Sequence, residues 1–475
     1  MTKLWVKMFS ILLVLCMLVG LAACGSSTDP GKQQEEETKT PTTEEQTDSK
    51  EEKPEEAEEK EEVFDLGGAT IVQGAWFNLR PEPGTSEAAD NTLARIAELE
   101  EKYNFKMEFL ELPVEQYHEN FTSSILAGDP IVDVGVIEDR QFFPGYVAKG
   151  FLYPLSDLGV FDFEDPKWNK AFIDFTTYKG KVYGMATGKT DPRSGIFWNK
   201  TIFEREGMPN LYELQNSRQW TWDKMLEIAQ KLTKDIDGDG IIDRYGLGGM
   251  WIDAAFVFSN NAETIKVVDG KPVFGLTDPN AIEALQFYQD LIHVHKVFEV
   301  PPAGAEWGYE MSSFQSGRTA MFHGQQWMAW GFQSNMEDDY GFVVFPMGPK
   351  AENYVSPLNA INFKVMPINV KHPRETAIIF DELTEPFPGD SPDDWKNAFI
   401  DSFRDMESLD TIDMMHRENM FKNNLFDCFP SLVELSWGYM GAINRGEKTA
   451  KVAIEEIAQQ AQAILDDTMA ALEAE

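Results

Sequence analysis

FQSGRTAMFHGQQWMAW, residues Phe314–Trp330, joins the end of a helix to a buried strand and two tryptophans. Phe314 closes an apolar helical pattern, Ser316-Gly317 stops it, and Arg318-Thr319 lead into Ala320-Met321-Phe322. That run is too short for another helix and reads as a buried strand. It empties into Gly324 and a cluster holding Trp327 and Trp330. The carboxyl end of a buried strand is where an open α/β sheet places its ligand, so Trp327 becomes a candidate contact. The competing reading is that both tryptophans are core, since Trp is highly buried on average. Many of the 12 Trp, 13 Tyr and 33 Phe residues fall in Gly- or Asn-rich turns, which tilts the choice toward a site.

At 475 residues the chain has room for two or three domains. A formal net charge of −39 excludes a nucleic-acid role, because phosphate backbones would be repelled. Cys16 and Cys24 lie in the N-terminal segment, which leaves Cys428 alone and rules out an intrachain disulfide framework. A buried structural thiol is expected there.

Residues 1–23 read as an export signal, with Lys3 and Lys7 ahead of the apolar run Phe9–Ala23. Leu21-Ala22-Ala23-Cys24 resembles the bacterial lipobox, which makes Cys24 the lipidated mature N-terminus and anchors the protein without spanning the membrane. From Gly25 to Glu62 there are 15 Asp/Glu against 5 Lys and no aromatic residue. Such a segment cannot offset its ordering entropy and is expected to be a disordered tether, so 24–64 is read as an acidic linker.

Globular sequence begins near Val63. A strand over Ala69–Val72, a helix over Ala88–Tyr103, a strand over Lys106–Leu112, a helix over Val114–Leu126 and a strand over Ile131–Ile137 predict a parallel sheet. Its ligand loops would be Gly74–Arg80, carrying Trp76, and Glu138-Asp139-Arg140. Further on, Gly195–Lys200 reads as a strand, with Asp191 in the loop before it, and Thr221 caps a helix ending at Leu232. Asp235, Asp237, Asp239 and Asp243 then take positions 1, 3, 5 and 9 of an EF-hand-like loop, DIDGDGIIDRYG, with Gly240 at position 6. Alternate carboxylates in a tight turn converge on one hard cation, so calcium is expected, with the Ile241 carbonyl and water completing the shell. Position 12 is Gly246, not a bidentate Glu, and the ion would act as a staple only. Gly248–Asp253 starts a helix at a glycine-rich turn carrying Trp251. His293 and His295, two apart on a helix predicted over 279–298, would face different ways and make no zinc pair. A strand over Asp339–Pro346 leads to another at Asn359–Met366, and helices are expected from there to the C-terminus.

Taken in order, these features resemble the extracellular solute-binding lipoproteins of carbohydrate ABC importers, the superfamily of maltose-binding protein. The motifs are LAGDPIVDV (126–134), EDRQFFPGYVAKGFLYPL (138–155), YKGKVYGM (178–185), GIFWNKTIFEREG (195–207), TWDKMLEIAQKLT (221–233), FQSGRTAM (314–321), YGFVVFPMGPK (340–350) and INVKHPRETA (368–377). Phe197-Trp198-Asn199-Lys200 departs from that family's usual aromatic-Tyr-Asn-Lys. The resemblance implies an α/β, two-lobed periplasmic-binding-protein fold of the class II type with hinge-connected lobes and a helical C-terminal region. One lobe would comprise 65–181 and 343–388, the other 182–342 and 389–475. It also implies a monomer on the extracellular face of the bacterial cell membrane that holds an oligosaccharide for ABC permease subunits. By motif, Asp139 and Arg140 match the family's acidic-basic pair and Trp327 its stacking aromatic. Trp251 stands near a groove aromatic, and Trp76, Asp191 and Trp437 follow from loop position. Sugars present apolar C–H faces to rings and hydroxyls to carboxylates, so such a mixture suits them. Two other classes stay open: a secreted glycoside hydrolase using a carboxylate pair such as Asp139 and Asp191, and a calcium-dependent surface adhesin.

Overall fold

The computed structural model describes residues 64–188, 193–358, 361–390 and 395–474. The signal segment, Cys24, the acidic linker up to residue 63 and Asp191 lie outside the described residues. The strands that build the two lobes are, in chain order, β1 Ala69–Ala75, β2 Phe105–Glu111, β3 Val134–Glu138, β4 Gly184–Met185, β5 Ser194–Asn199, β6 Tyr245–Gly249, β7 Thr319–Gln325, β8 Tyr340–Val343, β9 Ser356–Leu358, β10 Asn362–Val365 and β11 Phe421–Asn423.

In the first lobe the sheet order is β2-β1-β3-β10-β4. The three leading strands are parallel and β10 runs antiparallel to β3. Both faces are apolar, as a helix-covered parallel sheet requires. Ile71 and Val134 pack with Tyr103, Phe105 and Phe380 on one side, Ile137 and Phe363 with Tyr117, Phe121 and Phe142 on the other. Helix Glu87–Tyr103 starts where Ser86 accepts a hydrogen bond from the Ala89 N–H at 3.0 Å and stops at Asn104, which takes the left-handed conformation.

The second lobe holds the sheet β8-β5-β7-β6. All seven residues of β7 are buried, which places the decisive stretch at the centre of the lobe. Phe197 meets Phe342 at 4.8 Å and Phe332 at 4.9 Å, and Phe314 meets Phe332 at 5.0 Å. Each fully buried ring of this kind contributes about 1.5–3 kcal/mol. Helix Trp222–Leu232 adds Trp222, Met225, Ile228, Ala229 and Leu232 from one face, and Thr221 caps it by accepting from the Lys224 N–H.

Sheet and core membership locate the passages between lobes. β4 still pairs in the first sheet, so the chain leaves that lobe after Met185, beyond the Val182 expected from the resemblance. Val344, Phe345 and Tyr354 still pack in the second lobe's core, so the return lies between Tyr354 and β10, later than Val343. A third passage falls between Leu383, in the first core, and Trp395, against the second. Beside the second passage, β9 pairs in parallel with β11, and the Asn424 N–H donates to the Leu358 carbonyl at 2.8 Å. β11 is a strand in a region where helices are expected to dominate. Its partner lies some sixty residues upstream, so no local pattern announces it. Helix Pro279–His293 ends before His295, which stands past its C-terminus.

Candidate functional site

On the first lobe, the carboxyl ends of β1 and β3 converge. Tyr117, fully buried, donates its hydroxyl to the Gly74 carbonyl at 2.9 Å and pins helix Val114–Ala127 to the end of β1. A Cβ at Gly74 would sit 2.4 Å from Val132, so only glycine lets the strand and helix close up there. Gly74 and Ala75 therefore belong to the strand, and the loop begins at Trp76. The Trp76 ring is half-buried, 5.1 Å from His118 and 5.9 Å from Tyr117. At the end of β3, Glu138 and Asp139 are buried, and the Arg140 guanidinium pairs with Glu138. The Asp139 N–H donates to the Ile361 carbonyl at 3.1 Å, and its carboxylate accepts the Arg140 N–H at 3.0 Å. Burial, then the charges of Asp427 and Glu138, push the Asp139 carboxyl up to about 7, against the opposing pull of the Arg140 N–H and the Arg193 charge.

The second lobe faces this cluster. The Gln326 N–H donates to the Arg193 carbonyl at 2.8 Å, so the turn after β7 is tied to the residue whose charge acts on Asp139. Trp327 is 38% exposed and donates its indole N–H to Gln325 Oε1 at 2.6 Å, which fixes the ring at the sheet's edge. One turn away, His323 of β7 holds both sides of the Met250 peptide. Its carbonyl accepts the Met250 N–H at 3.0 Å, and its Nδ1 lies 2.6 Å from the Met250 carbonyl oxygen. Burial pushes the His323 imidazole down to about 4, so it donates as the neutral ring. A Cβ at Gly249 would fall 2.6 Å from the His323 backbone, which makes glycine obligatory. That clamp sets Trp251 at φ 54°, 39% exposed and 5.9 Å from the more exposed Trp307. Asp253 follows in the first turn of helix Ile252–Ser259, its carboxyl raised by desolvation. Buried Tyr439 feels the charges of both Asp253 and Asp427. The Cys428 thiol, also buried, points at the Asp139 carbonyl oxygen at 3.9 Å. It is a structural thiol pushed upward, with burial as the main cause.

Of the residues expected from sequence, Trp76 lies against His118, whose ring feels the charge of Arg140, the residue after Asp139. Trp327 follows Gln326, which is hydrogen-bonded to Arg193, and the Arg193 charge reaches Asp139. Trp251 is held by the strand that delivers Trp327. Trp437 is 77% exposed on helix Pro430–Asn444, and no ring contact joins it to the others among the described residues. His118, Arg193, Asp253, Trp307, Asp427 and Tyr439 escaped the sequence reading. Only Asp253 carried a signal, sitting in the glycine-rich turn already singled out. In the acidic loop, carboxylate oxygens of Asp235, Asp237 and Asp239 lie within 4.8 Å of one another. Asp243 Oδ2 accepts the Ile236 N–H instead, and Asp235 accepts from Gly238 and Gly240. The exposed Trp rings can meet flat apolar faces, and carboxylates, backbone groups and imidazole can meet hydroxyls.

The sequence pattern defining the bacterial extracellular solute-binding proteins matches residues 94–384. An arabinooligosaccharide-binding protein of Bacillus subtilis (strain 168) is 24% identical over 217 residues, 44% of this chain and 46% of that one. The chain thus spans about half the length of this curated relative in the match. Among solved structures, the ABC substrate-binding protein Lmo0181 from Listeria monocytogenes, in complex with cycloalternan, superposes with a TM-score of 0.61 at 19% identity, covering 86% of this chain and 100% of that one. The GacH receptor of Streptomyces glaucescens gives 0.64 at 14% identity, over 84% and 99%. At these identities the superpositions speak for the two-lobed fold. Among the described residues, no helix is long and apolar enough to cross a membrane.

Proposed function

Because the chain belongs to the bacterial extracellular solute-binding protein family, we propose that it captures an oligosaccharide between its lobes and delivers it to the permease subunits of an ABC importer. The observation that carries the sugar is the placement of Trp76 and the buried Asp139 just past the carboxyl ends of β1 and β3 in one lobe, with Trp327, 38% exposed, just past the end of β7 in the other. Aromatic rings take the C–H face of a pyranose or furanose, and a carboxylate accepts from two hydroxyls at once. The arabinooligosaccharide-binding relative points to the same ligand class. Lobe closure would shelter these hydrogen bonds from water, where they are stronger. The protein is read as a binder that releases its ligand unchanged, anchored at the extracellular face of the cell membrane through lipid on Cys24.

We further propose that the Asp235, Asp237 and Asp239 carboxylates hold one structural calcium, with Ile241 and Asp243 contributing through the loop. The clustering of the three carboxylates supports this, since unneutralised they would repel one another. A thermal-shift screen against arabino-, malto- and manno-oligosaccharides tests the ligand class. A concentration-dependent rise for at least one series is expected, and no response to any saccharide would overturn it.

A further inference from the structure

His118 lies on helix Val114–Ala127, one residue after the Tyr117 anchor, and therefore stands at a fixed height above the end of β1. Its ring is 5.1 Å from Trp76, at 45°. Both of its nitrogens are enclosed, and neither has a hydrogen-bond partner among the described residues. Enclosed polar atoms without partners are uncommon in native proteins and cost stability when nothing pairs them. The core imidazole of His323 has the Met250 carbonyl at its Nδ1 and only its Nε2 without a partner, whereas His118 has a partner at neither nitrogen. Desolvation first, and the neighbouring Arg140 charge second, push the His118 imidazole down to about 4. It therefore stands neutral, with one donor and one acceptor, between a stacking ring and an ion-paired arginine.

We propose that His118 is a specificity-determining ligand contact, donating to one hydroxyl and accepting from another on the saccharide ring that stacks on Trp76. This rests on the saccharide reading above. A neutral imidazole matches two adjacent hydroxyls, which each give and take a hydrogen bond, better than it matches a carboxylate or phosphate, which only accept. His118 thus reads hydroxyl pattern, while Trp76 reads ring shape.

The test measures binding of arabinotriose and maltotriose by calorimetry to wild type, His118→Ala and His118→Gln, with unliganded melting temperatures alongside. For whichever trisaccharide wild type binds, His118→Ala is expected to weaken binding roughly ten- to a hundredfold, as for a lost pair of neutral hydrogen bonds. His118→Gln, which keeps a donor and an acceptor, recovers part of the loss. The unliganded melting temperature stays level or rises, because partnerless polar atoms leave the interior. Unchanged affinity in His118→Ala, with or without lost stability, overturns the proposal while leaving the saccharide reading intact. Failure of wild type to bind either trisaccharide, or any member of the wider panel, overturns both.

Discussion

Asp139→Asn separates stability from binding in one side chain. The carboxyl is 2% exposed, and its folded value of about 7 stands well above the ordinary 3.8. A folded acid with a raised value binds its proton more tightly than the unfolded chain does. Its contribution is therefore fully present below about pH 4 and is lost as pH rises to about 7. At 1.36 kcal/mol per unit, a shift of this size amounts to roughly 4 kcal/mol at pH 8, an upper bound because Arg193 and solvent relax part of it. Asparagine keeps the shape and the acceptor for the Arg140 N–H but cannot ionise. The unliganded variant should match wild type near pH 4 and exceed its urea stability by up to about 4 kcal/mol at pH 8. Saccharide affinity should fall, by about 1.5–3 kcal/mol if the carboxylate accepts ligand hydroxyls. Such a trade of stability for binding is what a functional carboxylate produces. A variant less stable than wild type at pH 8, or one that keeps the wild-type fall between pH 4 and 7, would refute the reasoning.

Trp327→Ala should lower saccharide affinity ten- to a hundredfold, an estimate of about 1–3 kcal/mol for a lost stacking surface. Because the ring is 38% exposed, urea stability should drop by well under the ~3–5 kcal/mol of a core Trp→Ala cavity; a loss of that size with unchanged binding returns Trp327 to the core. Chelator should lower the melting temperature of wild type, and Asp237→Ala should abolish the difference; calorimetry showing no calcium uptake by metal-free protein withdraws the site. Cys24→Ala should leave the precursor unlipidated and released from the membrane fraction, and equal membrane retention in variant and wild type argues against the anchor.

How much of this was legible in sequence follows from what is local and what is not. The strand after Ser316-Gly317, the cap at Thr221 and the alternation of strands and helices in the first lobe are written in neighbouring residues, and they emerged with ends displaced by a few positions. Trp327 could be nominated in advance because a strand's carboxyl end is a place that topology defines. His118 could not. It looks like any polar helix position until Tyr117 is seen to pin that turn beside Trp76. The Asp139 environment is assembled from Asp427 and Cys428, nearly three hundred residues away, and from Arg193 on the other lobe. The β9–β11 pair beside the passage is equally non-local. Sequence fixes an element's type through its own pattern; a cleft between lobes gathers single residues from many elements, and nothing in the spacing records which ones meet.

The proposed role requires that the chain bind an oligosaccharide and return it unaltered. Equilibrium dialysis of the purified protein against the tightest-binding saccharide of the panel, followed by chromatography of the recovered sugar, tests both halves together. Saturation at one ligand per chain and recovery of the sugar at its original length are expected. Shortened or transferred products would make the protein an enzyme, and failure to retain any saccharide would leave the cleft to another class of solute.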